Sequence, residues 1–496
     1  MSLIKKLAGE TVIYGLGSVL PRVISFVVMS IYLTRVFDEL SYGVYGILYA
    51  YLAVLLYFFT FKMDTAFFRF ATISNRKSAA FTTGVLAIFS SCIVLVPLII
   101  FNAETIASVL NFDSDSARYI KWFALILAFD SLAMVPFAKL RLENKPLKFA
   151  LIRVLNVIIT IAIIFFFLEL CPRIINSNPD SSLASIYNEN RKLDYVFIAN
   201  VIASGCVLLM LVKEFFDFKY VFDFSLFKKM ISYSWPLIII GVAGAINITF
   251  DREFISQLGS GTAEENLMQS GIYNGSIKIA VLMSLFATAF NYAAEPFFFK
   301  SFKDKEPKEM YAKVALAYTV AASIAFVLMS LFLDVLQYLI GKDFRGAIKV
   351  VPILLLAYLF LGLYYNFSIW FKLKDKTIYG AAIAFSGLLL VIGLNVFLIP
   401  RIGYSGAAWS VLACFIFYCA AAYLTGQKHF PINYPIKKIT LIITIAVTVV
   451  LVSIYLRSLV DNQFVRLGTN AALGILYLVV TYWTNKSLVR EVISGN

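Results

Sequence analysis

Apolar runs of about 20 residues recur from one end of this chain to the other, each long enough to cross a hydrocarbon core roughly 30 Å thick. Short charged loops separate them. A backbone surrounded by lipid has to satisfy its own polar groups, so only bundled helices or a closed barrel remain as architectures. Barrel strands would alternate polar and apolar residues with period two, whereas these runs are continuous, and helices follow. Windows bounded by charge, Pro or Gly predict spans over 11–34, 42–62, 79–101, 118–138, 147–169, 194–214, 232–256, 272–298, 313–333, 347–370, 378–399, 405–425, 437–457 and 466–484. The expected fold class is an all-α polytopic membrane protein with about 14 transmembrane helices.

The composition agrees, with 61% apolar and 15% charged residues, where soluble domains have roughly 45–50% and 25%. A net charge of +14 would point to nucleic acid in a soluble protein. Here the charges sit in short loops and are unevenly placed. Lys139, Arg141, Lys145 and Lys148 fall on one side with Lys300, Lys303, Lys305 and Lys308, and Glu104, Asp113, Asp115, Glu264 and Glu265 fall opposite. The positive-inside rule then places both termini in the cytoplasm, and the excess charge reads as retention against anionic lipid, with no nucleic-acid partner.

Chemistry in a soluble compartment is poorly provided for. The five cysteines, Cys92, Cys171, Cys206, Cys414 and Cys419, are scattered, which excludes a disulfide framework or a zinc cluster. The single histidine, His429, supports no metal or nucleophile constellation. Residues 1–6 resemble the start of a signal peptide, but Arg22 interrupts the apolar run and no cleavage site follows, so an uncleaved first span is expected. The longest loop, 171–193, is a Ser/Asn-rich stretch without periodicity. The expectation is a protein that is not an enzyme and carries no cofactor, with its work done in or between the helices.

Two halves are visible. Span 1 carries Gly15, Gly17, Pro21 and Arg22, and span 7 carries Pro236, Gly241, Gly244, Asn247, Asp251 and Arg252. Transporter repeats often interrupt their first helices with Gly or Pro, because the freed backbone lines a cavity. A Gly-x-Tyr heads the next span in both halves, Gly43 to Tyr45 and Gly271 to Tyr273. The expected organisation is a lobe of spans 1–6 over 1–225, a lobe of spans 7–12 over 226–430, and spans 13–14 over 431–496.

Ionisable groups within spans are costly, about 2.5–3.5 kcal/mol each at the helix centre on insertion scales, and are candidates for function. The cations are Arg22, Arg153 and Lys278, and the anions are Asp64, Asp130, Asp251 and Glu295, with Arg252 beside Asp251. Asp64, Arg153 and Glu295 lie near predicted helix ends, where snorkelling is the plain alternative and Asp64 has Arg69 as a potential partner. Asp251 and Arg252 read as a gate at the exterior end of span 7. Arg22 and Lys278 lie well inside their apolar runs, and two such cations suit an anionic group such as phosphate or diphosphate. Aromatics, 16% of the residues, point first to bilayer belts and second to sugar-stacking surfaces.

The chain resembles the polysaccharide transport family of the multidrug/oligosaccharidyl-lipid/polysaccharide exporter superfamily. The stretches that carry the resemblance are Tyr42-Gly43-x-Tyr45 with Arg69 after span 2, and Asp251-Arg252 followed by Gly271-x-Tyr273, Lys278 and Pro296. The most specific is the run from Asn395 through Pro400, Gly403 and Gly406 to Ala408; the stretch from Tyr364 through Trp370 to Thr377 is a further one. The resemblance implies a V-shaped pair of six-helix lobes around a cationic cavity, with a polyprenyl-diphosphate-linked oligosaccharide as cargo. It also implies contact with membrane lipid, spans 13 and 14 cradling the lipid tail, residence in a bacterial inner membrane, and service to a polysaccharide polymerase. In the related lipid II flippases an arginine in span 1 and another in span 8 line the cavity. Arg22 matches the first and Lys278 stands at the second. A further span-1 arginine has no counterpart, Val28 lying nearby, which argues against lipid II as the cargo.

Two rivals stay open. A cation-coupled drug exporter of the same superfamily would use acidic residues of the first lobe, for which Asp64 and Asp130 qualify. A membrane glycan polymerase would carry a large exterior loop with catalytic charges, and 171–193 is modest. Whether a proton, sodium or the membrane potential drives the cycle is not legible.

Overall fold

A computed structural model describes residues 24–73, 76–143, 145–216, 221–301, 307–374, 376–460 and 462–486. Among them there is no strand, and 13 helices are long and apolar enough to cross a membrane. The first expected span, 11–34, lies largely outside the described residues. Its end appears as a π-helical turn, Phe26–Ser30, running into α1, Ile31–Val36. The remaining expected spans each coincide with one of the 13, as a multi-pass membrane protein of about 14 helices requires.

Two compact units divide the chain, the first covering 1–257 and 261–271 and the second 258–260 and 272–496. The first holds α2 (Glu39–Thr60), α3 (Met63–Ile73), α4 (Lys77–Phe101), α5 (Ala103–Val109), α6 (Ala117–Leu142), α7 (Pro146–Phe165), α8 (Lys192–Phe216), α9 (Phe224–Thr249), α10 (Asp251–Leu258) and the first residues of α11 (Ala263–Ser301). The most apolar window of the span containing α6 is 72% buried, against 17% for those of α7 and α9. So α6 is the axis of this unit, and it packs on α2, α3, α4 and α8.

Three features differ from expectation. The lobe boundary expected at 225/226 would put α9 with the second half, but α9 packs against α2, α3 and α4. The expected interruption of span 7 is also missing, since α9 runs unbroken through Pro236, Gly241 and Gly244. Gly241 serves packing instead: a Cβ there would stand 2.0 Å from the Tyr57 ring, so the glycine lets α2 and α9 approach. The chain breaks later, at Phe250, and Asp251 and Arg252 belong to the separate short helix α10 rather than to the span. Third, Lys139, expected in a loop, is inside α6 and fully buried.

The second unit continues α11 and adds α12 (Pro307–Leu331), α13 (Val351–Phe367), α14 (Ile378–Ile402), α15 (Tyr404–His429), α16 (Ile436–Leu459) and α17 (Gln463–Thr484). α14 and α15 form a tight hairpin. Its corner, Gly403, has φ +59°, which favours glycine, and a Cβ on Gly406 would stand 2.7 Å from the Leu398 backbone. The last two helices dock on α12 through its exposed carbonyls. Arg457 donates to the carbonyls of Ser330 and Leu331 at 2.9 and 2.8 Å, and Asn470 donates to Leu331 at 2.8 Å while accepting from Ser453 at 2.7 Å.

Candidate functional site

The starts of α2 and α11 cross backbone to backbone. A Cβ on Gly43 would stand 2.4 Å from the Leu267 carbonyl oxygen, and one on Gly271 only 1.9 Å from that of Glu39 and 3.0 Å from the Gly43 nitrogen. Only glycine permits this approach. The two Gly-x-Tyr motifs, expected as separate markers of two repeats, therefore lead into one shared contact.

Helix α10 lies in the same seam. Ser270 of α11 donates its hydroxyl to the Arg252 carbonyl at 2.9 Å. Arg252 Nε stands 3.8 Å from Asp251 Oδ1, with both side chains about nine-tenths buried. Asn247, one helical turn earlier, is buried. The rings of Tyr42, Tyr45 and Tyr49 follow one another in tilted contacts at 5.5 and 4.6 Å.

Sequence reasoning passed over the next residue, Glu253. It is buried, and Tyr51 donates to its Oε1 at 3.1 Å, while Oε2 has no hydrogen-bond partner. Burial pushes this carboxyl up to about 7, against the smaller opposing effect of hydrogen bonds from Tyr51 and Gln257. Gln257 in turn donates to the Val109 carbonyl and accepts from Asn111, both at 3.2 Å. The signal was available, because Asp251-Arg252-Glu253 is a run of charge directly after an apolar span. On its far side the Tyr51 ring lines an apolar cavity of about 280 Å³, together with Leu48, Leu55, Ile106, Val109 and Phe123.

The other candidates of this unit are apart from that seam. Asp130 on α6 accepts from Ser204 of α8 at 2.7 Å. The Arg153 guanidinium lies 4.2 Å from the Phe137 ring centre, a cation–π contact. Asp64 does not pair with Arg69 as expected. Arg141 stands 4.0 Å from Asp64, and Arg69 lies over the Tyr233 ring at 4.3 Å. Lys139 and Lys148 hold Glu214 at 2.9 and 2.6 Å.

In the second unit Lys278 is half-buried between Ile277 and Ile279, both buried. One turn before it, Asn274 is fully buried and neither atom of its amide has a hydrogen-bond partner among the described residues. Tyr273 beside it is fully buried as well. Asn395 has an equally unpartnered amide, on the face of α14 that precedes the hairpin. Pro400, Gly403 and Gly406 build the hairpin itself, so the most specific motif in the sequence is in large part a packing device. Arg22 lies outside the described residues, as does the side chain of Glu295.

Comparison with known proteins places this arrangement. The family model described as "Polysaccharide biosynthesis protein" matches residues 7–302, more than half of the chain, and the chain belongs to that family. Among solved structures, a lipid II flippase, MurJ, in an inward closed conformation superposes with a TM-score of 0.69 at 16% identity, covering 97% of this chain and 100% of that one. A multidrug resistance MATE family transporter of the MOP superfamily, inward-facing, gives 0.65 at 11% identity over 84% of this chain and 94% of that one. The Vibrio cholerae MATE transporter VcmN in its bent form gives 0.54 at 12% identity over 86% and 97%. A search of curated proteins returned no significant match. The fold is thus that of the MurJ and MATE transporters.

Proposed function

We propose that this protein flips polyprenyl-diphosphate-linked oligosaccharide repeat units from the cytoplasmic to the outer leaflet of a bacterial inner membrane by alternating access, for use by a surface-polysaccharide polymerase. Membership of a polysaccharide-biosynthesis family supports the cargo class. The observation that carries the reading is Lys278, a half-buried cation on a membrane-crossing helix, one turn from the unpartnered amide of Asn274. A lysine at such a site has its best use as the counter-charge of a phosphate, and an amide beside it can bond the same group. Arg22 supplies the second cation, with a bidentate fork for the diphosphate.

Both termini are cytoplasmic in this reading, on the strength of the loop charges, and reporter fusions after Ser181 and after Asp304 are expected to report opposite sides. Charge-assisted hydrogen bonds contribute roughly 1.5–3 kcal/mol each, so Arg22→Ala or Lys278→Ala is expected to weaken cargo binding by about one to two orders of magnitude. Lys278→Arg retains transport. The test is complementation of glycan export in a deletion strain, with lipid-carrier intermediates analysed and membrane abundance checked. A well-expressed Arg22→Ala, Lys278→Ala double variant that exports glycan like the wild type refutes the cationic-cavity mechanism.

Asp130 favours a second reading, a cation-coupled drug exporter, because it places a carboxylate bonded to Ser204 inside the first unit. Asp130→Asn abolishing drug efflux while sparing glycan export would mark that activity as separate.

A further inference from the structure

The seam between α2, α10 and the start of α11 holds two carboxyl groups on α10 and one cation. Arg252 Nε stands 3.8 Å from Asp251 Oδ1. What faces Glu253 carries no compensating charge. From α2 comes the Tyr51 hydroxyl, and the Tyr51 ring stacks edge-on against Phe250 at 4.9 Å, with Phe254 beyond it. From the α5 side come only the Val109 carbonyl and Asn111, both bonded to Gln257, while Glu104 is exposed in the first turn of that helix. From α11 comes Ser270, whose hydroxyl is given to the Arg252 carbonyl. Of the two acids in the first turn of α11, Glu265 accepts from its own cap at the Thr262 N–H, and Glu264 is exposed. Among the described residues no ion pair reaches Glu253, and its Oε2 lacks a hydrogen-bond partner.

An ionised carboxylate in that position is costly, and a proton removes the cost. We infer that Glu253 is a proton-binding site that latches this seam: it is protonated while the seam is packed, and it ionises when the seam loosens. In that step the carboxyl O–H bond breaks, its electron pair stays on the carboxylate oxygen, and the proton passes to the entering water. Re-closing requires the reverse. The glycine crossing of Gly43 and Gly271 holds α2 against the start of α11 in the same seam, so that parting it loosens the packing around α10. The place of this latch in a transport cycle rests on the flippase reading; the proton site itself does not.

The experiment is hydrogen–deuterium exchange of the purified full chain in lipid nanodiscs, without cargo, followed over 39–51 and 251–271 and normalised to intrinsic amide rates. A carboxyl held near 7 in the packed seam and near its usual value in the loosened one makes wild-type protection fall about tenfold between pH 6 and pH 8.5. Glu253→Gln mimics the protonated group, so its protection is expected to be flat with pH and as high as that of the wild type at pH 6. Tyr51→Phe removes a donor that favours the anion, so the step persists and moves to higher pH. A flat wild-type profile overturns the latch, as does a step retained in Glu253→Gln or left unmoved in Tyr51→Phe. Because no cargo is present, a flat profile beside intact glycan export refutes the latch alone, and a clear step beside failed export refutes the flippase reading alone.

Discussion

Glu214 and Glu253 are both buried carboxyls of the first unit, and their surroundings differ in the one respect that decides their behaviour. Glu214, near the end of α8, sits between the ammonium groups of Lys148 at 2.6 Å and Lys139 at 2.9 Å, and Lys139 also donates to the Glu214 carbonyl at 3.0 Å. Glu253 has a tyrosine hydroxyl, a glutamine and no cation. The first cluster is a fixed structural tie, since Lys139 and Glu214 are both buried and each is the other's counter-charge. The second is a site whose charge depends on pH and on packing. Burial alone therefore says little about what a carboxyl does; the presence of a cation within reach separates a tie from a switch.

The sharpest way to break this comparison is Glu214→Gln. It removes the carboxylate 2.9 Å from the buried Lys139 ammonium, which keeps the residue-214 carbonyl and Glu143 at 3.9 Å, and a loss of about 3–5 kcal/mol is expected, read as a steep fall in the thermal midpoint of the purified protein. If the variant is as stable as the wild type, the triad is no tie.

Glu253→Gln is expected to act in the opposite sense, with an effect that opens above about pH 4.5 and is complete above about 7. A carboxyl raised from about 4.5 to about 7 on folding binds more protons in the native state between those values. Its contribution is therefore complete below about 4.5 and is lost as pH rises towards 7, so the native protein weakens across that window by about 3 kcal/mol. The glutamine variant lacks this slope. Thermal midpoints of both proteins from pH 5 to pH 8.5 check it, and parallel profiles would place Glu253 beside Glu214.

Gly271→Ala tests whether packing sets the Glu253 environment. Its methyl group would stand 1.9 Å from the Glu39 carbonyl oxygen, so the crossing has to part, at about 1–3 kcal/mol. Water then reaches Glu253, and the pH step in exchange is expected to shrink. The smallest effect belongs to Lys148→Ala, whose side chain is 37% exposed and whose partner keeps Lys139; under about 1 kcal/mol is expected in the same melts.

Much of the fold was legible along the chain. All the expected spans from the second onward coincide with helices, because a hydrocarbon core about 30 Å thick imposes one length and one polarity on whatever crosses it. The Asp251–Arg252 pair was legible for a similar reason, since charge next to an apolar run is conspicuous. The partner of Asp64 was misjudged: Arg69 is close in sequence, yet it stacks on Tyr233, and the nearer cation is Arg141 from α6. Lys139 read as a loop residue because a lysine near an apolar run usually marks its end, and its ion pair with Glu214 and its bond to the Glu214 carbonyl, both from α8, explain how it is buried.

What the sequence by itself determined is the kind of solvent, the number and type of crossing elements, and the family, all of which follow from local composition and order. What only the tertiary structure decided is which groups meet. The two Gly-x-Tyr motifs lie more than 200 residues apart and lead into one crossing, where Gly271 touches Glu39 and Gly43. Glu253 and Tyr51, equally distant in sequence, share a hydrogen bond there. The physical reason is that the field, burial and close approach acting on a side chain are sums over spatial neighbours, and in this chain those neighbours come from helices that are remote in sequence.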